Sequence, residues 1–267
     1  MRIMRLGSLL AFSLLSFAAA IQAQQPLTPI PTARDPHALS VLGRCLAAAG
    51  GAQAILAIQD FTGTGNVTYF YAGQDITGSV TVRGRGLTQF RVDATLPDGV
   101  HSWIVSKGAA FQKDPDGSIA PLPSQNAVKP AGITFPLPYL LSVLQDASIS
   151  VSYGGLVTHD GAQVYDIVVQ KMLSQTADPL NTVGNATKAH FFIDPNSLLV
   201  QSVQDMAYRK DGGPGEGSHE IQFSGYKATN GVLVPFSITE FVAGQKTAAI
   251  QLNQVTFSGG LTDSDFE

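Results

Sequence analysis

The stretch HFFIDPNSLLVQSV, residues 190–203, supports two interpretations: part of an active site, or two strands joined by a turn. His190, Asp194 and Ser197 are residue types that hydrolases use as base, orienting acid and nucleophile. Asp194 is followed by Pro195, however. This dipeptide is typical of a turn, because proline presets φ and aspartate hydrogen-bonds the backbone that follows. Apolar residues flank the turn on both sides. The stretch therefore predicts a β-hairpin and argues against an active site.

Short segments of the same kind lie on both sides of this hairpin. They run over residues 66–113 and 149–257, and turns rich in Gly, Asp and Pro separate them. This spacing predicts about ten strands in an antiparallel sheet. The segment TQFRVDA alternates cleanly, with Phe90 and Val92 on one face. In the last strand the alternation slips by one residue near Asn253, which indicates a β-bulge that curves the sheet. The predicted fold class is mainly β (α+β), a strongly curved antiparallel sheet that forms an incomplete, half β-barrel.

Two helices accompany the predicted strands. Asp35 and Pro36 suit the N-cap and first turn of an N-terminal helix, whose apolar residues recur at three-to-four spacing until a Gly pair ends it. A short apolar helix is predicted over residues 139–145, after a Pro-rich insertion at residues 114–138. We expect the two helices to close the concave face of the sheet.

The N-terminus predicts export. Residues 1–23 combine two arginines, an apolar run and small residues that suit cleavage after Ala23, which is the pattern of a signal peptide. Residues 24–34 then form a flexible Pro-rich arm, and residues 35–267 form one half-barrel domain. We therefore expect a periplasmic or extracellular, soluble protein with no transmembrane anchor after cleavage.

Charge and cysteine content exclude several classes of function. The net charge of −4 becomes −6 when Arg2 and Arg5 leave with the signal peptide. An acidic chain without Lys and Arg clusters is unsuited to nucleic-acid binding. The single cysteine, Cys45, allows neither an intrachain disulfide nor a CxxC metal site. It lies on the apolar stripe of the first helix, well beyond the cleavage region, so we expect a buried thiol and no lipid attachment.

The residues that most often carry catalysis show no motif. The histidines stand at positions 37, 101, 159, 190 and 219, and none of them forms an HxH or HExxH pair. The sequence has no GxSxG nucleophile turn. Its Asp-Gly and Asp-Pro dipeptides are typical of turns. We therefore predict no metal, no cofactor and no enzymatic activity.

Apolar residues remain beyond the needs of a simple core, and they are the candidate ligand-binding residues. The first strands offer Val67, Tyr69, Val80, Phe90, Val92, Trp103 and Val105, and the middle helix offers Tyr139, Leu140, Val143 and Leu144. A helix lying across a curved sheet can leave a sheltered apolar pocket of the kind that binds small ligands. It can equally fill the concave face as solid core. The sequence leaves both arrangements open.

Three segments carry a resemblance to a known family. They are GSVTVRGRGLTQFRVDATLPDGVHSWIVSKGAAFQKDPDG at residues 78–117, FFIDPNSLLVQSV at 191–203, and NGVLVPFSITEFVAGQKTAAIQLNQVTFSGGLTDSDFE at 230–267. With the signal peptide and the first helix, their order resembles the LolA/LolB-like superfamily of periplasmic outer-membrane lipoprotein-sorting carriers. The resemblance implies an incomplete β-barrel whose apolar inner face holds acyl chains. It also implies a basic residue near the barrel, for which Arg83 and Arg85 are equal candidates.

The predicted function is binding of a lipid, a lipoprotein acyl chain or another apolar ligand in the concave cavity, by a non-catalytic carrier or sensor. The alternative is a structural or protein-interaction module of the cell envelope with a filled cavity, whose partners would be envelope proteins. An unrecognised hydrolase is a third alternative.

Overall fold

The computed structural model of the chain describes residues 33–71, 73–123, 135–208 and 217–267. The predicted signal peptide, most of the predicted arm and the middle of the Pro-rich insertion lie outside the described residues. The described part contains fifteen strands, four α-helices and one 3-10 helix.

The two predicted helices, the N-terminal and the middle one, begin and end close to the predicted positions. In chain order α1 to α4 are Pro36–Ala48, Ala52–Leu56, Leu137–Gln145 and Thr182–Thr187, and the 3-10 helix is Asp263–Phe266. Asp35 caps α1 as predicted, because its Oδ1 accepts hydrogen bonds from the backbone N–H groups of His37 and Ala38 at 2.7 and 3.0 Å. The middle helix, α3, begins two residues earlier than predicted, since Pro138 is tolerated in a first turn.

The strands form one large open sheet and one small sheet. In chain order β1 to β15 are Asp60–Tyr71, Gln74–Arg85, Gln89–Leu96, Gly99–Ser106, Ala109–Lys113, Ile119–Pro121, Ile149–His159, Ala162–Lys171, Ala189–Ile193, Val200–Ala207, Gly217–Ser224, Lys227–Thr229, Val232–Val234, Ser237–Val242 and Gln245–Phe257. Thirteen strands lie in the order β6-β5-β4-β3-β2-β1-β15-β14-β11-β10-β9-β8-β7, and β12 pairs with β13. The predicted open antiparallel sheet is confirmed. The strand count exceeds the ten predicted, because three-residue strands such as β12 carry little periodic signal.

The first and last strands join the two halves of the sheet. β1 pairs with β15, and the register shifts so that Thr64 faces Gln254 while Gly65 faces Leu252. Asn253 is therefore the extra residue of a β-bulge, which confirms the predicted slip. Gly65 is required beside the bulge, since a Cβ there would lie 2.1 Å from a carbonyl oxygen of β15.

The stretch at residues 190–203 is a hairpin between β9 and β10. Asp194 Oδ1 accepts hydrogen bonds from the backbone N–H groups of Asn196 and Ser197, both at 2.7 Å. His190 Nδ1 lies instead 3.0 Å from Asp166 Oδ1 on β8. The histidine, aspartate and serine thus serve different local contacts, and the predicted turn is confirmed.

The helices α1 to α3 pack on one face of the large sheet, which we call the inner face. The Tyr139 ring of α3 stacks on Phe191 of β9 with ring centroids 5.8 Å apart. The Phe135 ring, just before α3, lies 5.5 Å from that of Phe61 on β1 and 5.6 Å from that of Phe257 on β15. Cys45 of α1 is fully buried in the same core, as predicted.

The C-terminal residues cover the opposite, outer face of the first strands. Phe266 of the 3-10 helix is buried, and this helix contacts β3 and β4. The buried Asp60 carboxylate accepts hydrogen bonds from the backbone N–H groups of Gly259, Gly260 and Leu261 at 2.7, 3.0 and 3.2 Å. These contacts hold the tail against the sheet.

Candidate ligand cavity

A cavity of about 310 Å³ opens on the inner face, away from the helices. Its wall consists of Tyr69, Phe90, Val92, Trp103, Ile221, Ile238, Glu240, Ala248 and Ile250. All of these residues except Glu240 are apolar or aromatic. The first four belong to the predicted ligand-binding set, and the last five come from the C-terminal strands. The structure therefore assembles the cavity from both halves of the sheet.

The strand register explains why these residues meet. Tyr69 pairs with Ala248, Ala248 with Glu240, and Glu240 with Ile221, in a row across β1, β15, β14 and β11. Directly paired residues share a face of a sheet, so the whole row lies on the inner face. The rings of Tyr69 and Trp103 lie 5.5 Å apart and extend the wall to β4.

The remaining apolar residues of the predicted set lie elsewhere on the inner face. Those that are almost completely buried in the core, at 2% exposure or less, are Val67, Val80, Leu140 and Val143. Tyr139, Leu144 and Val105 are half-buried and lie outside the wall of this cavity. The two arrangements that the sequence left open thus both occur, with helices filling one part of the inner face and an open cavity in another.

The two predicted arginines lie on the outer face, not in the cavity. Arg83 forms a salt bridge to Asp93 at 2.5 Å. Arg85 pairs with Asp263 of the C-terminal tail and donates to Gln89 Oε1 at 2.7 Å. Alternation along β2 turns both side chains away from the inner-face residues of that strand. Both arginines therefore lie outside the cavity wall, and the role near the barrel that the resemblance implies for one of them stays a prediction.

A charged cluster that sequence reasoning missed stands at the cavity wall. Asp205 of β10, His219 of β11 and Glu240 of β14 come from neighbouring strands. The Nδ1 atom of His219 lies 2.6 Å from Asp205 Oδ1, and its Nε2 atom lies 3.0 Å from Glu240 Oε1. Thr247 Oγ1 adds a hydrogen bond to Glu240 Oε2 at 3.1 Å. The imidazole is therefore held between two carboxylates.

His219 and Glu240 carry opposite charges at neutral pH. Burial acts to lower the pKa of His219, but the hydrogen bonds and negative charges of Asp205 and Glu240 outweigh it and raise this pKa to about 9. Burial acts to raise the pKa of Glu240, but His219 and Thr247 outweigh it and leave this pKa below its usual value. Burial, and then the charge of Glu240, raise the pKa of the Tyr69 phenol.

The alternation pattern carried a signal for this cluster. In SHEIQFSGY, His219, Ile221 and Phe223 alternate on one face, and in VPFSITEF the same alternation runs through Phe236 and Ile238. Glu240 is the next position on that face. A carboxylate on an otherwise apolar strand face predicts a charge turned toward the core, and such a group needs a partner.

A second group of titratable side chains lies at the tip of the β7–β8 hairpin. In the described part of the chain, His159, Asp160 and Glu220 place potential metal-ligand atoms within 4.8 Å of one another. His159 Nε2 lies 2.8 Å from Glu220 Oε1, and Gln222 donates to Asp160 Oδ2 at 2.5 Å. The His159 ring also stacks on Phe192, 3.8 Å between centroids. These contacts fasten the hairpin tip to β9 and β11.

Comparisons with known proteins identify the fold. No family model and no curated protein matches the chain. A domain from Vibrio parahaemolyticus, provisionally described as an outer membrane lipoprotein-sorting protein, is 12% identical with a TM-score of 0.53, over 86% of this chain and 96% of that one. A LolA superfamily protein from Nitrosomonas europaea is 11% identical with a TM-score of 0.52, over 86% and 97%. A DUF1329 family protein from Desulfovibrio piger is 11% identical with a TM-score of 0.51, over 86% and 96%.

The chain is thus an open half-barrel protein with the fold of the LolA superfamily. The resemblance carried by the sequence segments is confirmed at the level of the fold. Among the helices of the described residues, none has both the length and the apolar character needed to cross a bilayer.

Proposed function

We propose that the chain is an exported, non-catalytic carrier or sensor that binds a lipid, a lipoprotein acyl chain or another apolar ligand in the inner-face cavity. The observation that carries the proposal is an unfilled space of about 310 Å³ whose wall is apolar except for one carboxylate. This volume lies at the lower end of the range of small-ligand pockets, roughly 300–1,000 Å³.

The character of the wall supports an apolar ligand. Filling such a space removes aliphatic and aromatic surface from water at roughly 25 cal/mol per Å². Trp103 and Tyr69 offer flat ring surfaces, while Ile221, Ile238 and Ile250 offer branched aliphatic ones. One protein of similar structure is provisionally described as sorting outer membrane lipoproteins. By analogy, the proposed ligands of this cavity include a lipoprotein acyl chain.

Trp103 provides a direct test, because it is the only tryptophan and lies in the cavity wall. Titration with an uncharged alkyl probe such as dodecanol should change the emission of Trp103 with a saturable dependence. Native mass spectrometry of gently purified full chain should show a bound apolar molecule. A ligand-free spectrum together with unchanged emission would refute the proposal.

A matched pair of variants locates the binding. Ala248 points into the cavity, whereas Ala249, the next residue of β15, points to the outer face. Ala248→Phe should fill the space and weaken probe binding by about tenfold or more, while Ala249→Phe should leave binding unchanged. If both variants bind equally well, the ligand lies elsewhere.

The interaction-module alternative rests on the part of the inner face that the helices fill. Leu140 and Val143 of α3 are fully buried there and leave no room for a ligand. An envelope protein recovered in a pull-down, with Trp103 emission insensitive to added lipid, would favour this alternative.

A further inference from the structure

The charged group that faces the apolar cavity is a carboxylate. Glu240 forms part of the wall, and 40% of its side chain remains exposed. Its wall neighbours Ile221, Ile238 and Ala248 are hydrocarbon. Water screens the exposed part of this carboxylate, and an apolar ligand that displaces this water strengthens the electrostatic interactions of the charge. A ligand that enters the cavity therefore meets a negative charge at one point of an apolar surface.

The contacts of His219 engage its positive charge with two carboxylates, one of which is Glu240. Its two ring nitrogens each approach a carboxylate oxygen, of Asp205 at 2.6 Å and of Glu240 at 3.0 Å. Only the protonated imidazole can donate from both nitrogens at once. Both donors are then engaged, so the cation has no N–H left for a ligand. His219 holds Glu240 in place and does not present an anion-binding group.

Glu240 keeps the capacity to accept further hydrogen bonds. A carboxylate has about four lone-pair sites. His219 occupies one on Oε1, and Thr247 occupies one on Oε2 at 3.1 Å. The remaining sites can receive a donor from a ligand. The aromatic rings of Tyr69 and Trp103 in the same wall add electron-rich faces that attract a cation.

We propose that the cavity selects apolar ligands whose polar end is cationic or donates hydrogen bonds, such as an alkyl ammonium group, and discriminates against alkyl carboxylates. This inference rests on the proposed function and names the ligand class of the same cavity. Glu240 is its specificity-determining residue. The arginines of β2 do not neutralise the charge of Glu240 in the cavity, because Arg83 and Arg85 lie on the outer face in their own ion pairs.

The test compares three probes of equal chain length: dodecylamine, dodecanol and dodecanoate. Binding is measured by Trp103 emission and by calorimetry at pH 7, below the micellar concentrations, at about 0.15 M salt to screen distant charges. Dodecylamine should bind at least about tenfold more tightly than dodecanoate, and dodecanol should fall between them. Equal binding of amine and carboxylate, or tighter binding of the carboxylate, overturns the inference while the proposed function stands. Failure of all three probes refutes the proposed function itself.

A pair of charge variants separates the cavity carboxylate from general acidity. Glu240→Gln should remove most of the preference for the amine. Asp75→Asn removes the same charge from an exposed residue of β2, whose strand partner Phe70 directly follows Tyr69. That control should keep the preference. If Asp75→Asn reduces the preference as much as Glu240→Gln does, the selectivity comes from overall charge and the inference fails. If Glu240→Gln does not fold, the ratio of dodecylamine affinity to dodecanoate affinity, measured on the unaltered chain, still tests the inference.

Discussion

The half-buried His219 of the cluster should make folding stability depend on pH. The pKa of His219 is raised from 6.5 to about 9 by its two carboxylates, while the unfolded chain releases this proton near 6.5. Between these two pKa values the native state therefore keeps a proton that the unfolded state loses. The stabilisation is fully present below pH 6.5, and it is lost as pH rises from 6.5 toward 9.

The size of the effect follows from the difference between the pKa values of His219 in the native and unfolded states. One pKa unit corresponds to roughly 1.4 kcal/mol, so this difference stabilises the native state by about 3 kcal/mol as an upper bound. This is a large part of the roughly 5–15 kcal/mol by which native domains are stable. Burial raises the pKa of the Cys45 thiol from 9.0 to about 12, so that group weakens stability only above about pH 9. Cys45 therefore contributes little between pH 6.5 and 8.5, and comparison with a His219 variant isolates the contribution of His219.

Urea unfolding followed by circular dichroism at pH 6.0, 7.0, 7.5, 8.0 and 8.5 tests this dependence. The free energy of unfolding should fall across the series with little change in its urea slope. His219→Asn should have a lower free energy of unfolding at pH 6, and this free energy should no longer fall as the pH rises. His190→Asn should retain it, because that residue pairs with Asp166 and leaves the cluster intact. A free energy of unfolding that stays constant or rises from pH 6.5 to 8.5 would refute the reasoning.

Three further substitutions probe the packing, each by urea unfolding. Leu140→Ala should lower the free energy of unfolding by about 2–5 kcal/mol, because it leaves a cavity at a fully buried position of α3. A loss below 1 kcal/mol would contradict a solid core there. Gly65→Ala should cost about 1–3 kcal/mol or more, since its Cβ would meet the backbone of β15. The control Gly43→Ala, in open space within α1, should instead stabilise the chain by about 0.5–1 kcal/mol. Phe266→Ala should cost about 3–5 kcal/mol and leave Trp103 emission unchanged, because the tail packs on the outer face; a changed emission would place the tail in contact with the cavity.

Local patterns sufficed for much of the fold. The phase slip at Asn253 marked a real bulge, because a register shift must change which residues face inward. The Asp35 cap and the turn at Asp194 also followed from residue chemistry that acts over two or three positions. The pairing of β1 with β15 could not be predicted in this way, since nothing in either strand's own pattern specifies a partner at the other end of the chain.

The candidate site shows the same division. Tyr69, Phe90, Val92 and Trp103, which lie in the cavity wall, were among the apolar residues of the first strands, and alternation placed Phe90 and Val92 on one face. The C-terminal half of the wall was missed, because it reaches the first strands only through the non-local pairing. The arginines were chosen by family resemblance rather than by alternation. Arg83 directly follows Val82, a buried core residue, so its side chain has to point outward.

The position of the cavity follows from the relative lengths of the elements. A strand of twelve residues such as β1 extends about 40 Å at 3.3 Å per residue. The nine residues of α3 and the thirteen of α1 reach only about 14 and 20 Å at 1.5 Å per residue. Helices of this size can cover part of the inner face but not the whole length of the strands. The uncovered part keeps its apolar side chains turned inward, because alternation along a strand does not stop where the helices end. No helix of the described residues covers that part of the inner face, so an apolar molecule bound there would bury side chains that the described helices leave uncovered.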